Sequence, residues 1–190
     1  MSRTARLLSL VLRHAPERIG LTLGAGGWVA TRDLLSALRR HGHRTTPEEL
    51  AGIVSADEKG RFTLSEDGRR IRAAQGHSVE IDLRLPPLEP PEVLYHGTAS
   101  RSLDAIFEQG LRPMSRRHVH LSVDARTATA VGSRHGRPVV LTVAAGALHR
   151  AGSLFHRADN GVWLVDAVPP GALGFAPSED DAPALPAPAG

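Results

Sequence analysis

Eight residues near the middle of the chain, Leu85-Pro-Pro-Leu-Glu-Pro-Pro-Glu92, include four prolines. No regular helix runs through such a stretch, because proline lacks an amide donor and its ring clashes with the preceding turn. The stretch reads as an extended linker, 85–92, between two lobes. The 190 residues then divide into an N-terminal lobe, 1–84, and a C-terminal lobe, 93–175, each able to bury a core. Composition shifts again after Phe175, where the acidic, Pro/Ala-rich stretch 176–190 reads as a disordered tail.

In the first lobe, Leu7, Leu8, Leu10, Val11 and Leu12 supply the apolar face of a helix. Thr31 reads as the cap of a second helix carrying Leu34, Leu35 and Leu38. Thr46, Pro47 and Glu49 stand as N-cap, first residue and third residue of another. Arg61–Leu64 and Ile71–Ala73 read as strands around the turn Glu66-Asp-Gly68. Three helices followed by a hairpin form the winged-helix pattern, which often binds nucleic acid but does not by itself fix a function. The second lobe alternates: strands at Val93–His96, His118–Ser122, Pro138–Val143 and Gly161–Val165, with helices at Leu103–Gln109 and Ala125–Val131. The expected class is α+β, with a small mixed sheet in the second lobe.

Composition excludes several chemistries. The absence of cysteine removes disulfides, thiolate metal sites and a Cys nucleophile. No apolar run is long enough to span a bilayer, and the basic, apolar N-terminus is interrupted by Arg6 and Arg13, so it reads as an amphipathic helix of a cytoplasmic protein with no membrane partner. Lys59 is the single lysine, leaving 22 arginines. An Arg-favouring codon usage accounts for their number but not their positions, and arginine is the side chain that grips phosphate bidentately. Setting aside Glu179, Asp180 and Asp181 raises the net charge of the body from +3 to +6, a modest attraction for nucleic acid.

Four polar clusters stand out: Arg13-His14, Arg61, Arg72–Ser78 and Arg116–Ser122. Arg13-His14 ends a helix, where a cation also serves as a simple dipole cap. Arg61 precedes Phe62 and reads equally as a solvated strand residue. His118 and His120 share one strand face. They lack a third ligand of clear spacing, so no metal is expected. Tyr95-His-Gly-Thr98 is a strand leading into a glycine turn, where a ligand can approach the backbone. Neither GxGxxG nor a P-loop is present.

Taken in order, Leu12-Arg-His-Ala-Pro16, Gly27-Trp28, Lys59-Gly-Arg-Phe62, Arg72-Ala-Ala-Gln-Gly-His-Ser78, Tyr95-His-Gly-Thr98, Pro113-Met-Ser-Arg116, His118-Val-His-Leu-Ser122 and Asn160-Gly-Val-Trp-Leu164 resemble the RNA 2′-phosphotransferases of tRNA splicing. The resemblance runs from about residue 4 to 175. It implies a winged-helix lobe that binds RNA, joined to an ADP-ribosyltransferase-like lobe that binds NAD. It also implies a catalytic set of Arg13, His14, Arg61 and Arg116. Arg117 stands beside Arg116, but the family spacing, an Arg two residues before the first His of His-Val-His, selects Arg116. His96, Gly97, Thr98, His120, Leu121 and Ser122 are expected to line the NAD pocket, with Asn160, Gly161 and Val162 near it. Gln75–Ser78 is expected to bridge the lobes. Ala74 departs from the family, which usually has Asn there.

The reaction implied by this resemblance transfers an internal RNA 2′-phosphate to NAD as co-substrate, without metal. RNA with a free 2′-hydroxyl, ADP-ribose 1″,2″-cyclic phosphate and nicotinamide are released. A monomer is expected. Two alternatives remain at this stage. One is an ADP-ribosyltransferase acting on nucleic-acid 5′-phosphate ends or on protein; the other is a winged-helix regulator that senses a nucleotide.

Overall fold

The computed structural model describes residues 2–134 and 136–176; most of the expected tail lies outside the described residues. Helix α1 (Arg3–Arg13) begins where Ser2 Oγ accepts from the Ala5 amide at 3.1 Å. Its residues Ala5, Leu8, Val11 and Leu12 recur at helical spacing and are buried. Helix α2 (Thr31–Arg40) buries Leu34, Ala37 and Leu38. Thr31 is not its cap, however. Ala30 holds the N-cap position, while the Thr31 hydroxyl donates to the Gly68 carbonyl at 2.8 Å. Strand β1 (Val29–Ala30) pairs with the following hairpin and brings Thr31 against its turn, so a tertiary partner takes the hydroxyl. Helix α3 (Pro47–Ser55) does open on the expected capping box: Thr46 Oγ1 accepts from the Glu49 amide at 3.2 Å, and the Glu49 carboxylate accepts from the Thr46 amide at 2.9 Å.

Strands β2 (Phe62–Leu64) and β3 (Arg70–Ala73) complete an antiparallel sheet of order β1-β3-β2. The three helices pack on it through Leu8, Val11, Leu12, Leu34, Leu38, Leu50, Phe62 and Ile71. The register places Phe62 opposite Ala73 and Thr63 opposite Arg72.

A second core lies beyond the proline-rich stretch, formed by Leu94, Leu121, Val143, Phe155, Trp163 and Val165 among others. Its elements are β4 (Leu94–Ala99), α4 (Leu103–Gln109), β5 (Val119–Leu121), α5 (Ala125–Gly132), β6 (Pro138–Val143), α6 (Ala145–Arg150), β7 (His156–Arg157), β8 (Trp163–Val165) and β9 (Leu173–Phe175). They form two three-stranded sheets, β4-β6-β9 and β5-β8-β7. Tyr95 and Ser122 join the sheets by exchanging main-chain hydrogen bonds of 2.9 and 2.8 Å. Every pairing among the described strands is antiparallel, where a mixed sheet was expected. Strands β4 and β6 are separated by two helices and a strand, a connection long enough for either direction, and they run antiparallel over six residue pairs. Helix α6 was not anticipated, because Ala-Gly-Ala-Leu-His-Arg has no apolar period. No helix among the described residues is long and apolar enough to cross a membrane.

The proline-rich segment lies docked along β7. The Leu88 amide donates to the Phe155 carbonyl at 2.8 Å, and His156 Nδ1 donates to the Leu85 carbonyl at 2.9 Å. Leu83, Ala158 and Leu164, with Ile81, Leu85 and Val162 beside them, form a small apolar cluster where the two parts of the chain meet.

Candidate active site

The C-terminal end of α1 supplies the first part of the site. Helix ends leave carbonyls unpaired, and here the Ser78 amide donates to the Arg13 carbonyl at 3.0 Å. His14 Nδ1 lies 2.9 Å from Ser78 Oγ. The turn through Gly76 thus closes over α1 and turns the half-buried Arg13 side chain across the sheet, where Nη2 donates to the Arg61 carbonyl at 3.1 Å. Arg61 is held in turn by Asp57, whose carboxylate accepts from the Arg61 amide at 2.5 Å and from its guanidinium.

The second part comes from β5 and the loop before it. Arg116 Nη1 donates to His120 Nδ1 at 2.6 Å. A guanidinium offers only donors, so Nδ1 of His120 carries a lone pair and the neutral ring presents its Nε2–H as a donor. His96 Nδ1 faces the His120 carbonyl at 3.1 Å and must donate to it, leaving His96 Nε2 as an acceptor. Gly76 joins the two parts: a Cβ there would stand 3.7 Å from Arg13 Nη1 and 3.8 Å from His120 Cε1, and its φ is +85°.

Burial and mutual repulsion set the charges. Burial lowers Arg13 to about 10, with Arg61 and Arg116 adding to the effect, so it remains cationic at neutral pH. Burial first, then Arg13 and Arg116, holds His14 below the ordinary imidazole value. Burial and Arg116 push His120 down to about 3, and burial also lowers His96. The centre therefore combines guanidinium cations with neutral imidazoles. Among the described residues, no carboxylate lies within 4 Å of Arg13 or Arg116. Such an arrangement suits an anion with several oxygens, such as a phosphoryl group.

The remaining expected residues are placed differently from one another. His118 immediately precedes β5, with its ring 3.7 Å from Asp166, and His120 lies within it between Val119 and Leu121, which point into the core. The Leu121 side chain is thus apolar packing. Gly97 lies against α5: a Cβ would fall 1.7 Å from the Ala128 carbonyl oxygen. Thr98 is buried beside it. Asn160 donates to the Lys59 carbonyl at 3.3 Å, and Val162 packs with Leu83 and Leu164. Arg116, rather than Arg117, contacts His120 and acts on Arg13 and His14; Arg117 borders a small cavity of about 10 Å³ with His77 and His118.

Asp57 and Asp159 escaped the sequence reading. Asp159 forms a two-bond ion pair with Arg72, at 2.9 and 2.6 Å. An acid four residues before an arginine was the only signal for Asp57, and Asp159 had none, since its partner is 87 residues away.

A family model described as RNA 2′-phosphotransferase, Tpt1 / KptA family matches residues 1–167. A Streptomyces griseus subsp. griseus protein named Probable RNA 2′-phosphotransferase is 57% identical, over 88% of this chain and 93% of its own. A protein of the same name from Agrobacterium fabrum is 57% identical, covering 87% and 89% of the two chains. One from Nostoc punctiforme is 52% identical, covering 88% and 93%.

Proposed function

The chain belongs to the RNA 2′-phosphotransferase family, and from that premise we propose that it transfers an internal RNA 2′-phosphate to NAD, releasing 2′-hydroxyl RNA, ADP-ribose 1″,2″-cyclic phosphate and nicotinamide. The observation that carries this reading is the convergence of Arg13, Arg61 and Arg116 with His14, balanced among the described residues by Asp57. The three guanidinium groups bind the phosphoryl oxygens and stabilise the charge that develops on them during transfer. Arg13 and Arg61 approach from the first lobe and Arg116 from the second, so the phosphate is held across the seam and oriented for attack.

The chain's own groups also suit NAD. The His120 Nε2–H and the His96 Nε2 lone pair offer one neutral donor and one acceptor beside the cationic cluster, a set that matches a ribose hydroxyl next to a pyrophosphate. When bound, NAD supplies a ribose carbon from which nicotinamide leaves as a neutral group. In the tautomer whose Nδ1–H donates to Ser78 Oγ, His14 has Nε2 available to take a proton from a hydroxyl attacking phosphorus. Its lowered pKa keeps it in the neutral, accepting form at pH 7.

The test is incubation with NAD and an oligonucleotide carrying one internal 2′-phosphate, followed by chromatography. ADP-ribose cyclic phosphate and 2′-hydroxyl RNA should form in equal amounts. Accumulation of an ADP-ribosylated RNA as the end product would point to an ADP-ribosyltransferase. A 2′-phosphate left intact while NAD binds would refute the proposal.

A further inference from the structure

Arg72 uses its whole guanidinium. Nε and Nη2 donate to the two oxygens of Asp159 at 2.9 and 2.6 Å, and Nη1 donates to the carbonyls of Gly26 and Leu83, both at 3.3 Å. The group also lies over Trp28, with Cζ 4.7 Å from the ring centroid, and the side chain is only 11% exposed. Arg72 sits on β3 in the first lobe, opposite Thr63 of β2, while Asp159 belongs to the second.

The next residue makes a second bond across the seam. Asn160 Nδ2 donates to the Lys59 carbonyl, and its Oδ1 accepts from the Val162 amide at 3.4 Å. A Cβ on Gly60 would stand 3.0 Å from Asn160 Cβ. Lys59 and Gly60 lead directly into Arg61. The turn at Asp159-Asn160 therefore grips the hairpin twice, on β3 through Arg72 and at the start of β2 beside Arg61.

A half-buried ion pair adds little net stability over an apolar pair, because both charges must shed water. A two-bond guanidinium–carboxylate contact does fix orientation. The phosphate-binding arginines are divided between the lobes, so the relation between the lobes sets the separation of Arg61 from Arg116.

We propose that Arg72, Asp159 and Asn160 form a positioning bracket that sets Arg61 against Arg116 for phosphoryl transfer. None of the three needs to touch the reacting atoms. The inference rests on the phosphotransferase reading above. Displacement of a reacting group by about 1 Å costs on the order of a hundredfold in rate.

The test uses the full chain with Asp159→Asn, Asp159→Ala and Arg72→Lys. Turnover of a 2′-phosphate oligonucleotide should fall about tenfold to a hundredfold, while NAD affinity, measured by calorimetry, stays close to wild type; the melting transition falls because a buried guanidinium loses its partner, yet stays above the assay temperature. Amide hydrogen exchange at 59–61 should quicken in Asp159→Ala, a readout that needs no activity. Wild-type turnover in both Asp159 variants, unchanged exchange at 59–61, or a loss of turnover that only tracks lost NAD binding or lost folded protein would each overturn the bracket. A wild-type chain that never removes the 2′-phosphate, alongside faster exchange in Asp159→Ala, would sink the phosphotransferase reading and leave the contact standing.

Discussion

Arg13 reaches across the first sheet to donate to the Arg61 carbonyl at 3.1 Å, so two cations are held side by side through a main-chain oxygen. Among the described residues no ion pair holds Arg13 there, and the neighbouring Arg61 raises the cost of keeping it charged. An anion bound between them would relieve that repulsion.

Arg13→Lys keeps the charge and loses the planar fork. Turnover of a 2′-phosphate oligonucleotide is expected to fall by about a hundredfold, read from steady-state kinetics in the presence of saturating NAD. Wild-type turnover would show that bidentate geometry is unnecessary at this position.

Asp57→Ala removes the carboxylate that holds both the amide and the guanidinium of Arg61. Turnover should drop roughly tenfold as Arg61 loosens. Urea denaturation should show a stability loss of about 1–3 kcal/mol, because hydrogen bonds to a charged group are removed.

The acid limb of the activity profile should lie below the ordinary histidine value, because burial and the neighbouring arginines hold His14 down. Activity is then retained through the pH range where a free imidazole titrates, and it falls at lower pH as His14 takes up a proton. A limb at or above 6.5 in kcat would contradict this role for His14.

His77 is 3% exposed, and among the described residues neither ring nitrogen has a hydrogen-bond partner. Burial, with Arg13 next, pushes it down from 6.5 to about 4. The folded chain keeps this ring neutral while the unfolded chain protonates, so its contribution is complete above pH 6.5 and is lost as pH falls toward 4. That loss is on the order of 3 kcal/mol. Chemical denaturation across this window should show a shallower decline in His77→Leu, which has no group to titrate there.

Gly97→Ala would drive a methyl group into the Ala128 carbonyl and force β4 away from α5. A loss of about 3 kcal/mol or more is expected, seen as a lowered melting temperature. A variant as stable as wild type would mean that this contact yields easily.

Much of the secondary structure was legible because it is locally encoded. The α1 face at Leu8, Val11 and Leu12 and the Thr46–Glu49 capping box each follow from residues within a turn or two of one another. Thr31 was misread for the same reason. Its local pattern suits a cap, but its hydroxyl partner, Gly68, is 37 residues away. Arg13, His14, Arg61 and Arg116 were marked by ordered motifs, while Asp57 and Asp159 carry no motif of their own.

The sequence by itself determined five of the helices and most of the longer strands to within a few residues, that proline separates two stretches able to form cores, and which arginines stand in recurrent patterns. Those follow from backbone chemistry and apolar periodicity, which act over a few residues. Tertiary structure alone decided that Arg13 rests on the Arg61 carbonyl, that Arg116 selects the tautomer of His120, and that Arg72 grips Asp159 across the seam. These contacts join residues as many as 87 positions apart. The Arg13 contact depends on how helix and sheet pack within one core, and the Arg72 contact on how the two cores meet, neither of which a local pattern in the chain records.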